Sequence, residues 1–248
     1  MRLDLCTWQE VEAYLARADG IIIPVGSTEQ HGPMGLIGTD ALCAQSIAEA
    51  AADEAGALVA PTLALTPAPF NTAFPGTISI STELFEALVR EITTGLIAQG
   101  FRHIYFLNGH GANIAPLGRA TEGQPGVRIR SWWDFTQVNT LRQRHFGDWE
   151  GMHATPSEVA ITQATHRRVP PGAAAQPPRR LTTAFIRAAV GDRHGPPDEH
   201  RRDFPDGRVG SHSALASPEI GRELLCAAAS AVAWDYRAFV CGSTGRGK

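Results

Sequence analysis

Four short runs rich in apolar residues recur along the chain and predict strands, and the first of them shows no polar alternation. They span residues 21–25, 58–61, 103–107 and 127–133. Strands of a parallel sheet that helices cover on both faces show this continuous apolar pattern. Proline donates no ladder hydrogen bond, so Pro24 is unusual within the first run. The runs together predict a buried, mostly parallel sheet.

Segments with helical patterns lie between these runs. Helices are predicted over residues 7–17 and, rich in alanine, over residues 41–55. Ser81 can cap a third helix, which is expected to end at Gly100. Two later helices carry a capping residue followed by proline at the first helical position, namely Thr155 with Pro156 and Ser217 with Pro218.

Three potential metal ligands follow the first predicted strand. Glu29, His31 and Asp40 lie on a loop rich in glycine and proline, past the carboxyl end of that strand. Ligands of open α/β sheets bind at this edge, and carboxylates with an imidazole suit a divalent metal. Each residue also has an ordinary structural interpretation. Glu29 can be an acid in a first helical turn, His31 a loop histidine, and Asp40 the N-cap of the next helix.

The third run, like the first, is followed by a glycine turn and a histidine. Gly109 and Gly111 flank His110 there. Flanking glycines let the backbone turn sharply and leave the imidazole ring unobstructed, which favours a metal ligand over a packed core histidine.

A third cluster surrounds the start of the helix that Thr155 can cap. His153 lies just before this helix, where a general acid or base can reach a substrate. Glu158 occupies the third helical position and can complete a capping box with Thr155. The cap is a full structural explanation for Glu158, which also binds metal only if its carboxylate turns away from the backbone.

Two long segments lack a regular pattern. Residues 66–79 contain three prolines and two phenylalanines, which either wall a pocket or insert into the core. Residues 170–208 are rich in Pro, Gly, Ala, Arg and Asp, and are predicted to be extended, solvated chain used in subunit contacts. His194 and His200 lie there among arginines; an anion site is one interpretation, and a solvated run of charges is the one we expect.

Composition narrows the class of protein. The chain has 248 residues, 43% of them hydrophobic, which suffices for one sizeable α/β domain, and a single domain is expected over residues 1–248. It has 22 basic and 25 acidic residues and a net charge of −3, which predicts binding to neither nucleic acid nor a membrane. The amino terminus has no apolar signal region, no run approaches the length of a membrane span, and the four cysteines are isolated. A soluble, cytoplasmic protein is expected.

Several motifs resemble those of the creatininase, or creatinine amidohydrolase, family. They are PVGSTEQHGP…GTD (24–40), FPGTIS (74–79), LNGHGAN (107–113), HAxxxE (153–158) and, more weakly, RVGSHSALASPEIG (208–221). The resemblance implies a three-layer α/β/α sandwich with a mostly parallel sheet, assembled into homo-oligomers that include hexamers. It also implies two divalent metal ions, zinc or manganese, and hydrolysis of C–N bonds in cyclic or linear amides.

The resemblance further implies roles for individual residues. The metal ligands it implies are Glu29, His31, Asp40 as a bridge between the ions, and His110. His153 matches the proton-transferring histidine, and Glu158 matches a neighbouring acid that we expect to serve in catalysis and as a fifth ligand. Substrate contacts are expected from Phe74, Thr77, Ser79 and Trp149.

The chain departs from the family pattern at two positions. Met34 replaces a second histidine that many relatives have, and Ala112 replaces a glutamate ligand of creatininase. Alanine binds no metal, so the second metal site must recruit Glu158, accept an extra water or stay partly empty. Ala112 therefore argues against creatinine as the substrate.

These features predict a dinuclear hydrolase that acts on a small amide or lactam. The same site could instead deformylate a pyrimidine intermediate, cleave a small peptide or open a carbocyclic ring, since relatives include such activities. A metal-binding subunit that has lost catalysis is the alternative from a different class.

Overall fold

A sheet of four parallel strands, in the order β2-β1-β3-β4, lies at the centre of the fold. The computed structural model describes residues 1–189, 191 and 193–243. The strands are β1 (Gly20–Val25), β2 (Leu58–Val59), β3 (His103–Asn108) and β4 (Val127–Ser131). Every residue of β1 and β3 is buried, as the unbroken apolar runs predict.

Alternate residues of the central strands point to opposite faces, and each face has its own apolar core. Ile22 and Tyr105 pack on one face with helices α2, α5, α6 and α9, and Ile23 and Phe106 pack on the other with α1, α3 and α4. The helices are α1 (Trp8–Leu15), α2 (Thr39–Ala55), α3 (Thr82–Ala98), α4 (Ile114–Ala120), α5 (Thr136–His145), α6 (Pro156–Thr165), α7 (Thr183–Ala188), α8 (Pro197–Asp203) and α9 (Pro218–Ser243). This arrangement confirms the predicted three-layer α/β/α sandwich.

Pro24 fits in a central strand because its neighbour on one side ends early. Strand β2 stops at Val59, before it reaches Pro24. The Pro24 carbonyl accepts a hydrogen bond from the Leu63 amide at 2.9 Å. No complete ladder runs along this side of Pro24, so the proline needs no amide hydrogen to continue it.

The prediction of extended, solvated chain over residues 170–208 is wrong for much of that segment. Helices α7 and α8 lie within it, and His200 and Arg208 are buried. The Arg208 guanidinium is satisfied by Asp206 and by two backbone carbonyls, and the His200 ring packs 5.1 Å from that of Phe70. Asp206 is two residues from Arg208, but the two carbonyls lie 34 and 32 positions away, and composition does not reveal such partners. Positions 190 and 192, and positions 244–248 of the predicted single domain, lie outside the described residues.

Helix α9 is longer and more apolar than the sequence analysis allowed for. Its stretch Pro218–Gly242 is long and apolar enough to cross a membrane by those two criteria alone. Half of the apolar window is buried, and the helix packs against α2 and α6. A core helix passes the same test, so the finding is weak evidence for a membrane span.

Candidate metal centre

Five predicted metal ligands and His153 converge at the carboxyl edge of the sheet, and all six are buried. They come from the loop after β1, the first turn of α2, the loop after β3 and the start of α6. Their ligand atoms form three groups in which all atoms lie within 4.8 Å of one another. The groups are Glu29–Asp40–His110, His31–Asp40–Glu158 and Glu29–His31–His153.

Backbone carbonyls orient two of the imidazole rings. His110 Nε2 lies 3.0 Å from the Pro67 carbonyl, so it carries the hydrogen and donates it. Nδ1 then faces Asp40 Oδ2 at 3.0 Å and Glu29 Oε1 at 3.2 Å, and its lone pair is available to a metal ion when the ring is neutral. His31 is held in the opposite sense, because Nδ1 donates to the Glu29 carbonyl at 3.1 Å while Nε2 faces Asp40 Oδ1 at 2.8 Å. Histidines that bind metals donate their other ring N–H in this way.

The donor set fits a divalent cation. Glu29 Oε1 and Asp40 Oδ2 are buried, and both lie close to His110 Nδ1, at 3.2 and 3.0 Å. Two carboxylate oxygens and a ring nitrogen buried this close together need positive charge among them, which protons supply in the metal-free cluster and a bound cation would supply in their place. Carboxylate oxygen and imidazole nitrogen are ligands that zinc and manganese accept.

Asp40 occupies a different helical position from the N-cap considered above. Helix α2 begins at Thr39, and Gly38 holds the cap position. Asp40 therefore lies in the first turn, where one oxygen faces His31 and the other faces His110. This division lets Asp40 belong to two of the candidate metal groups at once.

Glu158 serves as a cap and can serve as a ligand at the same time. Its Oε2 accepts hydrogen bonds from the Thr155 amide at 3.0 Å and the Thr155 hydroxyl at 2.7 Å. The cap uses this one oxygen, and a carboxylate oxygen of Glu158 lies within 4.8 Å of the ligand atoms of His31 and Asp40. Of the two positions that depart from the family pattern, Met34 packs in the apolar core.

His153 lies against the same cluster. Its Nε2 is 2.7 Å from the backbone carbonyl oxygen of Gln30, and its Nδ1 is 3.6 Å from Glu29 Oε1. The ring centroid lies 4.5 Å from that of His31. At this position His153 can hold a proton for a reacting group or act as a ligand in the group with Glu29 and His31.

Burial and mutual repulsion control the charges of the cluster. Burial raises the pKa of Glu29 to about 8 and that of Glu158 to about 7, and the charge of Asp40 adds to both shifts. Burial works against charge on His31, but attraction to the carboxylates, Asp40 first, outweighs it and raises the pKa to about 10. Burial also disfavours charge on Asp40, yet His31 and His110 hold its pKa well below the usual range. The metal-free cluster therefore retains protons that a bound cation would displace.

A cavity of about 330 Å³ opens beside the cluster. Asp40, His110, His153 and Glu158 line it. Its other walls include residues that the sequence analysis did not select, namely Ile114, Trp133, Arg142, Met152 and Ile186. Trp133 is the last residue of the fourth predicted strand and Arg142 lies in the helix after it, so proximity to a strand end is the signal that could have identified Trp133.

The four residues expected to contact substrate have other neighbours in this structure. Thr77 Oγ1 accepts a hydrogen bond from the backbone N–H of Gln30 at 3.1 Å, and Ser79 Oγ accepts one from the backbone N–H of Ala68 at 2.9 Å. The centre of the Phe74 ring lies 5.1 Å from the guanidinium carbon of Arg201. The centre of the Trp149 ring lies 4.3 Å from the guanidinium carbon of Arg180. Their roles in substrate binding stay predictions.

The family assignment follows from comparison with known proteins. A sequence profile of the creatininase family, described as creatinine amidohydrolase, matches residues 4–234. The chain belongs to the creatininase family. This result confirms the resemblance that the motifs carry.

Similar curated proteins are hydrolases. Creatinine amidohydrolase of Pseudomonas putida is 28% identical over 181 residues, which cover 64% of this creatininase-family chain and 70% of the relative. The mycofactocin precursor peptide peptidase of Mycolicibacterium smegmatis is 37% identical over 106 residues, or 40% of this chain and 42% of the relative. The chain therefore matches less than half of the peptidase.

Solved creatininases share the fold along nearly their whole length. A crystal structure of creatinine amidohydrolase superposes with a TM-score of 0.79 at 22% identity, covering 100% of this chain and 98% of the other. A Zn–Zn form and a manganese form of creatininase give TM-scores of 0.78 and 0.75, each at 23% identity, covering 96% of this chain and 98% of the other.

Proposed function

We propose that this protein is a metal-dependent hydrolase that cleaves a C–N bond of a small amide or lactam. The observation that carries the proposal is that two ligand groups, Glu29–Asp40–His110 and His31–Asp40–Glu158, share Asp40. A shared carboxylate is what a two-metal site needs to hold its ions close together. Glu158 then supplies the second site with the carboxylate that Ala112 cannot provide.

The residues of the cluster divide the work of hydrolysis. When bound, two divalent ions would lower the pKa of a shared water and polarise the substrate carbonyl. The carboxylates of Glu29, Asp40 and Glu158 offset most of the charge of the ions in this buried site. His153 keeps its Nε2 hydrogen on the Gln30 carbonyl and would deliver a proton from Nδ1 to the departing nitrogen.

A peptide is the second candidate substrate, and one structural observation favours it. A second cavity of about 340 Å³ adjoins the first, and Gly151 and Ile186 line both. Such a pair of cavities has room for a chain longer than a compact lactam. The similarity to a peptide peptidase over 106 residues agrees with this reading.

Metal analysis combined with a substrate panel tests the proposal. We expect the purified protein to bind two divalent ions per chain, and we expect zinc or manganese to restore hydrolysis after chelation. Asp40→Asn should lose metal and activity, whereas the control Asp53→Asn, on the exposed face of the same helix, should keep both.

The outcomes separate the candidates. Turnover of lactams or simple amides supports the first function, and turnover of peptides alone supports the second. Full metal content in Asp40→Asn would refute the ligand assignment. Metal binding with no turnover across the panel would favour the catalytically inactive subunit. The homo-oligomer and the cytoplasmic location stay predictions that sizing and fractionation would test.

A further inference from the structure

Two buried amide side chains, Gln30 and Asn71, lie directly behind the metal ligands. Asn71 belongs to the short 3₁₀ turn Pro69–Asn71, and its side chain is fully buried. Burying an amide is unfavourable unless its donors and acceptors are satisfied. The partners of these two amides therefore show what holds them there.

The orientation of the Gln30 amide is determined by three hydrogen bonds. Its Oε1 accepts the Gly32 amide at 2.8 Å. Its Nε2 donates to Asn71 Oδ1 at 2.8 Å and to the Gly207 carbonyl at 3.0 Å. A flipped amide would place Oε1 against two other oxygens, so only this orientation satisfies every group.

The orientation of Gln30 determines that of Asn71, which in turn orients a metal ligand. Asn71 Oδ1 accepts from Gln30, so Nδ2 is the atom that faces Glu29, and it donates to Glu29 Oε2 at 2.9 Å. With Oε2 held in this way, Glu29 Oε1 lies 3.2 Å from His110 Nδ1 and 3.6 Å from His153 Nδ1.

The same pair of residues also holds His153. The backbone carbonyl of Gln30 lies 2.7 Å from His153 Nε2 and favours a hydrogen on that nitrogen, and the side-chain nitrogens Gln30 Nε2 and Asn71 Nδ2 lie 3.0 and 3.3 Å from it. His153 Nδ1 is thereby directed towards Glu29 and the ligand cluster. One hydrogen-bonded unit thus connects a metal ligand with the residue expected to transfer a proton.

We propose that Asn71 is a positioning residue of this site, which orients Glu29 for metal binding and, through Gln30, keeps His153 beside it. The turnover part of this inference rests on the proposed function, whereas the metal-affinity part concerns Glu29 directly. Outer partners of metal ligands typically contribute about 10- to 100-fold in affinity or activity.

Described parts of the segment 170–208 pack against this unit. Helix α8 packs on the turn that carries Asn71, and the Phe70 ring lies 4.5 Å from His194 and 5.1 Å from His200. At Gly207 the chain approaches Gln30 so closely that a Cβ would lie 1.9 Å from Gln30 Oε1, and its φ of +82° also requires glycine. The segment therefore helps to hold the two amides in place.

The test compares Asn71→Asp with a neighbouring control. Asn71→Asp keeps the size of the side chain and the acceptor for Gln30, but it places a carboxylate oxygen against Glu29 Oε2. Asn71→Ser is the second variant, in case the added charge prevents folding. Thr72→Ala is the control, because Thr72 is exposed at the end of the same turn and its hydroxyl bonds, among the described residues, only to the Pro69 carbonyl.

Three quantities are measured for each variant: zinc affinity by chelator competition, kcat and KM on the best amide of the wild type, and the melting temperature of the metal-free protein. We expect both Asn71 variants to lose about 10- to 100-fold in zinc affinity and kcat, with KM changing by less than about threefold. Thr72→Ala should match the wild type in all three.

A structural role alone would lower the melting temperature and leave zinc affinity and kcat within about threefold of the wild type, which would overturn the inference. A wild-type protein that binds no divalent ion would overturn the proposed function and this inference together. Normal wild-type binding with unchanged Asn71 variants would overturn this inference alone.

Discussion

Gly109 is a position at which a single added methyl group should disturb the metal site. It lies between β3 and His110, and its amide donates to the Val25 carbonyl at 2.7 Å. A Cβ built on Gly109 would lie 2.5 Å from the Asp40 carbonyl oxygen and 3.3 Å from Ala44 Cβ. Gly109→Ala therefore forces the first turn of α2 away from the end of the sheet.

The size of the effect follows from these distances. Nonbonded heavy atoms prefer a separation of about 3.5 Å or more, so the start of α2 must shift by roughly 1 Å. Overpacking of this kind costs about 1–3 kcal/mol of unfolding free energy. In a chain of this length that corresponds to a fall of about 2–12 °C in melting temperature. Metal–ligand distances tolerate only about 0.2 Å, so a displaced Asp40 should bind both ions less tightly.

The assay combines calorimetric melting of the metal-free protein with chelator competition for zinc. Gly118→Ala is the matched control, because Gly118 lies on the following helix α4 and its added Cβ would meet no atom within 4 Å. We expect this control to gain up to about 1 kcal/mol, since alanine is favoured over glycine in a helix, and to bind zinc normally. Gly109→Ala with wild-type melting and zinc affinity would refute the idea that the strand end positions Asp40.

Three further predictions concern the cluster itself. His153→Ala should lower turnover while metal content stays near that of the wild type, and simultaneous loss of metal would identify His153 as a ligand. Loading the metal-free protein with zinc at pH 7 should release protons, because the raised pKa values of Glu29, about 8, and His31, about 10, keep both protonated there. Zinc affinity should accordingly rise with pH through this range; calorimetric heats that do not depend on the ionisation enthalpy of the buffer would contradict the prediction. Thr155→Ala removes the cap on α6 and should cost about 1 kcal/mol of unfolding free energy in chemical denaturation. It should also weaken binding of the second ion, because Glu158 Oε2 loses its hydroxyl donor; unchanged zinc stoichiometry and affinity would argue against Glu158 as a ligand.

The strands, the capped helices and the ligand-bearing loops could be predicted from the sequence, because each depends on residues close together in the chain. The capping box of Thr155 and Glu158 spans four positions and occurs as expected. The buried runs of β1 and β3 indicate a parallel sheet, and parallel strands bring their carboxyl ends to one edge. This geometric consequence places Glu29, His31 and His110 at one edge of the sheet as candidate ligands.

Only the tertiary structure decided which side chains orient those ligands and which line the cavity. The bond between Gln30 and Gly207 spans 177 positions, and that between Gln30 and Asn71 spans 41. Contacts at such separations leave no periodic or capping signal in the sequence. The same holds for residues 170–208, whose composition is typical of solvated chain but which packs on the turn carrying Asn71. Composition reports the average affinity of a segment for water, whereas burial depends on the particular partner it meets in the folded chain.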